Sequence, residues 1–296
     1  MYHLPMKLRK WISEYDLPFM YLCENPNSIK IIENAIEYNL EVYSYLYPSN
    51  RICWHRLSQN PNAIHILEKY KSRIDWEGLS CNPNAFHILE QNKNKIVWYE
   101  LSENPHPDAI KLLKQNYNKI CWVTLSKNPN AIDIIEENYY MINWNETCIT
   151  LNTNPRVMKF IEERIDKLDM TDWELLSRNP AAIDILIKYP NNIDWESLSR
   201  NPCEKAVELL RQNPDKICWT NICENPYAID LIEENIYKIR NDSQFRNLAT
   251  NPAIFTYDYE IMKQTRMKLN KELIEYFWHP LRVEKMIESG IDIDDL

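Results

Sequence analysis

Apolar residues recur along the chain in a two-part motif. In the first part a Trp and a Leu lie three positions apart, as in Trp76 with Leu79 and Trp195 with Leu198. Residues three apart share a helical face, so this part predicts a short helix. Its polar positions agree. Asp75, Asp172 and Asp194 stand just before the Trp and can cap the first turn, and Glu77, Glu174 and Glu196 complement its positive end. In the second part apolar residues fall three, five and six places after a Pro, as in Ile132, Ile134, Ile135 and Ile183, Ile185, Leu186. That is an apolar stripe of helical width. The small residues Ala63, Ala85, Ala131, Ala182 and Ala228 permit close approach of a neighbour. The second helix is predicted to end at Asn92, Asn116, Asn138, Asn213 or Asn235, where a left-handed residue would serve.

Between the two parts stands Asn-Pro, at Asn25, Asn60, Asn82, Asn104, Asn128, Asn154, Asn179, Asn201, Asn225 and Asn251; His279-Pro280 resembles a degenerate further copy. After a first step of 35 the spacings run 22, 22, 24, 26, 25, 22, 24, 26 and 28. Such a period signifies a repeat array. Asn accepts from a free N–H of the first turn, Pro suits the next position, and the residue before Pro is pushed out of the α region. Asn-Pro is therefore read as the corner between two helices, with its Asn side chains in a ladder, each capping its own second helix. Asn82→Ala or Asn179→Ala then costs about 1 kcal/mol. The fold expectation is all-α: a right-handed α-solenoid of about eleven helix pairs of 22–26 residues, a rod or arc on the order of 100 Å long. It is one repeat domain, with an N-terminal cap and first repeat over 1–50, central repeats over 51–255, and a C-terminal cap and acidic tail over 256–296. Leucine-rich repeats have a similar period. The residue two before the Leu is mostly polar here (Glu77, Glu174, Glu196), so strand alternation fails. Trp144 lies ten before Asn154, which places an insertion near Thr147–Leu151. A longer first helix and a loop are expected around Leu40–Ser49, and one or two helices over Leu269–Gly290.

The chain has two Gly, Gly78 and Gly290, which argues against glycine-rich phosphate loops. Catalytic and zinc-site signatures are missing, so the expectation is a protein that is not an enzyme and has no metal or cofactor. The net charge of −9 disfavours nucleic acid and anionic membranes. Apolar runs reach neither signal-peptide nor transmembrane character. The Cys residues follow the repeat register, Cys53, Cys121 and Cys218 before a Trp and Cys23 and Cys223 in the place of a Ser, as free core thiols do. That implies a reducing, intracellular setting.

Trp54, Trp76, Trp98, Trp122, Trp173, Trp195 and Trp219 are read as core, and the corner residues Asn60, Asn82, Asn104, Asn128, Asn179, Asn201 and Asn225 as structural. Partner-binding candidates are the exposed second-helix residues His65, His87, Lys111, Asp133, Asp184 and Asp230, with a basic edge of Arg51, Arg73, Lys95 and Lys119. The expected function is a non-catalytic protein–protein interaction scaffold with no small-molecule substrate; the alternative is a structural or assembly component, and a nucleic-acid-binding solenoid ranks third.

Iterated Trp-x-x-Leu-Ser-x-Asn-Pro-x-Ala-Ile, from about Phe19 to Phe255, resembles the Asn-Pro repeat proteins of giant double-stranded DNA viruses, the mimivirus relatives. The resemblance implies a viral protein of the host cytoplasm or virion and carries no catalytic residues.

Overall fold

The computed structural model describes residues 5–13, 16–37, 51–142, 149–279 and 282. They are mostly helical, with 18 α-helices and one two-stranded sheet among the described residues. The chain divides into two compact parts, Leu8–Ile254 and a smaller one of Met1–Lys7 with Phe255–Leu296. In the smaller part, strand Phe255–Tyr257 pairs with Met6–Leu8. Asp258 accepts from the Ile261 N–H and so caps the helix Tyr259–Phe277, which begins ten residues before the expected Leu269. Leu40–Ser49, Trp144, Thr147 and Pro280 lie outside the described residues.

In the larger part the two-part motif becomes two ranks of helices. Short helices include Trp54–Gln59, Trp76–Cys81, Trp98–Leu101, Trp122–Leu125 and Trp195–Ser199. Leu57, Leu79, Leu101, Leu125, Leu176 and Leu198 are wholly buried between the ranks. Asp75 and Asp194 accept from Gly78 and Ser197 N–H, the caps the sequence implies. Asp172 differs. That helix starts earlier, at Met170, with Asp169 as its cap and Asp172 closing a capping box.

The second helix opens later than the sequence predicts, in most repeats at the Ile or Phe three after the Pro, as in Ile64–Lys69, Phe86–Gln91 and Ile229–Glu234. The intervening residues form a turn or one turn of 3-10 helix, such as Pro129–Ala131. The reason is local. Asn60 takes the Asn62 N–H on its side chain and the Ala63 N–H on its carbonyl, so the α pattern starts only with Leu67 donating to Ala63. Pro155 does open its helix directly. The closing Asn residues are not left-handed: Asn92, Asn116 and Asn138 have φ of −132°, −131° and −128°. Their side-chain amides instead donate to the carbonyls four residues back, Ile88, Leu112 and Ile134, covering acceptors that a helix end leaves open.

The corner Asn residues do form a ladder, built between repeats. The Asn82 Nδ2 donates to the Ser58 and Asn60 carbonyls of the preceding repeat at 2.8 and 3.0 Å, and its Oδ1 accepts from Asn84 N–H at 2.9 Å. The same pair of donated bonds recurs at Asn60, Asn104, Asn128, Asn179, Asn201, Asn225 and Asn251. In the sixth repeat the rung is Asn152, which donates to Ser126 and Asn128, and not Asn154 as the Asn-Pro step suggests. Asn154 fills a second line, two places further on. There Asn62, Asn84, Asn130 and Asn154 donate to the carbonyls of Pro26, Pro61, Pro105 and Pro129. A third line uses the Ser beside the Leu. Ser80 donates to the Trp76 carbonyl and accepts from the Val97 N–H of the next repeat. Ser102 and Ser199 repeat this with Cys121 and Cys218, and Cys23 does so with its thiol toward Cys53.

The ladder closes on itself. Asn25, the first rung, donates to the carbonyls of Ala249 and Asn251, the last rung, both at 2.9 Å, and Asn27 donates to Pro252. Arg9 adds a clasp. Its N–H donates to Ile254, its Nε to Ala253, and its Nη1 lies 3.4 and 3.7 Å from Glu233 and Asp230. Where an open rod or arc was expected, the first and last rungs of the larger part bond to one another, and among the described residues the rungs at Asn25, Asn60, Asn82, Asn104, Asn128, Asn152, Asn179, Asn201, Asn225 and Asn251 number ten; the further copy at His279-Pro280 lies partly outside them. The cause lies in how the two ranks meet. Successive short helices pack directly on one another, and a Cβ on Gly78 would lie 2.4 Å from the His55 carbonyl. Successive second helices are joined through long side chains, such as Lys205 to Asp184 and Arg211 to Glu234. Each repeat is a wedge, and wedges turning one way come round.

Candidate interaction surface

The residues singled out from the sequence fall into three groups. Rung residues Asn60, Asn82, Asn104, Asn128, Asn179, Asn201 and Asn225 are buried. Asn201 alone leaves its Oδ1 without a partner, since the Cys203 N–H turns to the Asn201 carbonyl. These residues are architecture.

The exposed second-helix candidates are mostly stitches between repeats. His65 meets Glu33 at 3.0 Å, His87 meets Glu68 at 3.1 Å, Asp133 receives Arg156 at 3.0 Å, and Asp184 receives Lys205 at 2.9 Å. Asp230 faces Arg9, and Lys111 stays within its own helix on Asp108. The polar atoms of His65, His87, Asp133 and Asp184 are therefore already engaged by the neighbouring repeat. Hydrogen bonds that Arg156 donates to Asp133 and Glu136 hold it above its ordinary pKa, and Lys111 holds Asp108 below its own. The two histidines each pair with a glutamate of the repeat before.

The basic edge has a different role from the one expected of it. Lys95 lies over the Trp76 ring at 4.5 Å, Lys119 over Trp98 at 4.4 Å, Lys216 over Trp195 at 4.3 Å, Lys238 over Trp219 at 4.2 Å and Arg73 over Trp54 at 5.9 Å. Each cation roofs the Trp of the repeat before it. Arg51 is exposed at the start of the series. The tryptophans accordingly are half-buried, apart from Trp173 at 7 % exposure. Sequence reasoning missed Lys238 by counting back from the next aromatic. Counting three forward from the Asn that ends the second helix finds Lys95, Lys119, Lys216 and Lys238 alike.

Two open grooves adjoin the Trp positions. One, of about 380 Å³, lies beside Trp76 and holds Lys95 and His87 on its walls. The other, of about 410 Å³, lies beside Trp173. A mixed donor group sits on the short helices, where His55, Asp75 and Glu77 offer ligand atoms within 4.8 Å of one another. One Asp75 oxygen is already shared by His55 Nδ1 and the Gly78 N–H. Nearby Glu100 has its pKa raised by burial and by Glu103 and Glu77. The 3-10 turns after the second helices carry exposed aromatics, among them Tyr117, Tyr139, Tyr140 and Tyr237. No helix of the described residues is long and apolar enough to cross a membrane. Comparisons with family models, curated proteins and solved structures find no match to this chain.

Proposed function

We propose that the chain is a closed α-solenoid acting as a non-catalytic protein–protein interaction scaffold, of viral origin as its resemblance to the giant-virus Asn-Pro proteins implies. The observation that carries this reading is a division of labour. The Asn, Ser and Leu positions of the repeat are spent on neighbouring repeats, while Tyr140 and Tyr237 stand 81 % and 60 % exposed on equivalent 3-10 turns. Exposed aromatics of this kind are the anchors that protein interfaces favour. The partner surface is therefore moved from the second-helix charges, which stitch repeats together, to the 3-10 turns.

The test is affinity capture from infected cells with the wild-type chain and with Tyr140→Ala/Tyr237→Ala, whose melting temperature is expected to match. A stoichiometric protein held by the first and lost from the second supports the reading. Equal retention by both overturns the placement on the 3-10 turns. Capture of capsid proteins alone turns the assignment to a virion component.

A further inference from the structure

We propose that His55, Asp75 and Glu77 form a binding site for a divalent transition cation of zinc-like chemistry, set between the short helices Trp54–Gln59 and Trp76–Cys81 of the second and third repeats. The three side chains offer ligand atoms within 4.8 Å of one another. Donors on one tetrahedral zinc stand about 3.4 Å apart, at bonds of about 2.1 Å. His55 Nδ1 and the Asp75 carboxylate are already 3.0 Å apart, so the arm that has to swing in is Glu77, whose side chain is exposed. The surroundings suit the ion. Asp75 Oδ1 accepts the Gly78 N–H that caps its helix, which leaves Oδ2 for a metal without loss of the cap. Gln59 lies 3.2 Å from the other ring nitrogen of His55, Nε2. Its amide, turned so that the carbonyl accepts from Nε2–H, fixes the tautomer whose Nδ1 lone pair faces the ion, as outer-shell partners of metal-bound histidines do. The donor set also selects the metal. Imidazole with carboxylate suits Zn²⁺ and its neighbours, whereas Mg²⁺ and Ca²⁺ take oxygen ligands. A comparison within the molecule isolates the part played by His55. The same register five repeats on holds three carboxylates, Glu174, Asp194 and Glu196. Among the described residues the group that contains the imidazole converges and the all-carboxylate one does not. Further negative charge stands near: Glu100 of the next short helix feels both Glu77 and His55, and Lys127 is held on Glu103 at 3.5 Å. The side chains of His55 and Asp75 are 42 % and 37 % exposed, so an ion enters from solvent without any opening of the fold. Bound there, it would link two repeats that Gly78 already brings into close contact.

The test titrates zinc chloride, with magnesium chloride as control, into the full chain stripped of metal and carrying nitrogen-labelled imidazoles. The His55 ring is assigned through His55→Gln. Zn²⁺ is expected to shift the His55 ring nitrogens saturably at micromolar concentration, ahead of those of His65 and His87, and Mg²⁺ to leave them in place. Glu77→Gln is expected to weaken binding by on the order of tenfold or more, since losing even an outer-shell partner of a metal site costs that much. Asp75→Asn, whose amide oxygen can keep the helix cap, is expected to weaken it likewise. A His55 ring unmoved by Zn²⁺, moved equally by Mg²⁺, or moved only together with His65 and His87 as adventitious surface binding would do, overturns the proposal. So does an undiminished shift in both Glu77→Gln and Asp75→Asn. The titration needs no partner protein, so it can fail while the capture experiment succeeds, and the reverse.

Discussion

One buried side-chain amide at each corner except Asn201 serves three backbone groups, two carbonyls of the repeat before and one N–H of its own. Removing that of Asn82 leaves the Ser58 carbonyl and the Asn84 N–H without partners in the interior, while the Asn60 carbonyl keeps the Ala63 N–H, and each orphaned group costs about 1–3 kcal/mol. Asn82→Ala is therefore expected to lose on the order of 3 kcal/mol or more in urea denaturation, beyond the 1 kcal/mol of a simple helix cap. Asn82→Asp is expected to be at least as damaging, because a carboxylate cannot donate to the Ser58 and Asn60 carbonyls and would bring a charge against them. The thiols give a second residue-scale prediction. Burial pushes Cys23 and Cys223 up to about 12 from an ordinary 9.0. A raised pKa means that the unfolded chain releases these protons first. The stability they contribute is whole below pH 9.0 and is lost as pH rises toward 12. Cys23→Ser/Cys223→Ser is expected to flatten that alkaline loss in pH-dependent melting, and the native thiols are expected to resist alkylation at pH 8. The rung positions other than Asn152, and those of Cys23, Cys53, Cys121, Cys218 and Cys223, were legible from register alone. The Asn bonding was not, since two of its three partners belong to a repeat more than twenty residues away.

Trp76–Cys81 packs on Trp54–Gln59 with Gly78 against the neighbouring backbone. At the Gly78 position other repeats carry side chains that use the same neighbouring carbonyl: Thr124 donates to Tyr99, Asn221 to Glu196 and Asn247 to Thr220. At Gly78 the backbone comes so near that a Cβ would meet the His55 carbonyl oxygen at 2.4 Å. Gly78→Ala is expected to cost about 1–3 kcal/mol by forcing these helices apart, read in the same denaturation assay. Lys119→Met, which removes the cation over Trp98 while keeping most of the apolar stem, is expected to cost about 0.5–1 kcal/mol. The existence of both helices followed from the Trp–Leu and Ile–Ile–Leu spacings. The start of the second helix did not, because the Asn carbonyl and side chain capture the N–H groups that would have begun it at the Pro.

Ten wedges returning to their origin leave the larger part of the chain with no first and last rung. In an open array Asn25 would have nothing before it to bond, and Asn25→Ala would do little beyond loosening a terminal cap. With Asn251 as its neighbour it is expected to cost as much as Asn128→Ala. Hydrogen exchange is expected to find the amides of the first and tenth repeats as protected as those of the fifth. This closure was not legible in the sequence, because the bonds that make it join Asn25 to Ala249 and Asn251, more than two hundred residues away. The closure has an evolutionary consequence. Open arrays lengthen by duplicating a repeat, since one more copy merely extends an end. Here an added or lost copy would leave Asn25 and Asn251 out of reach of one another unless every interface changed its angle at once. Selection on this chain can vary what the repeats display, but their number is held by arithmetic.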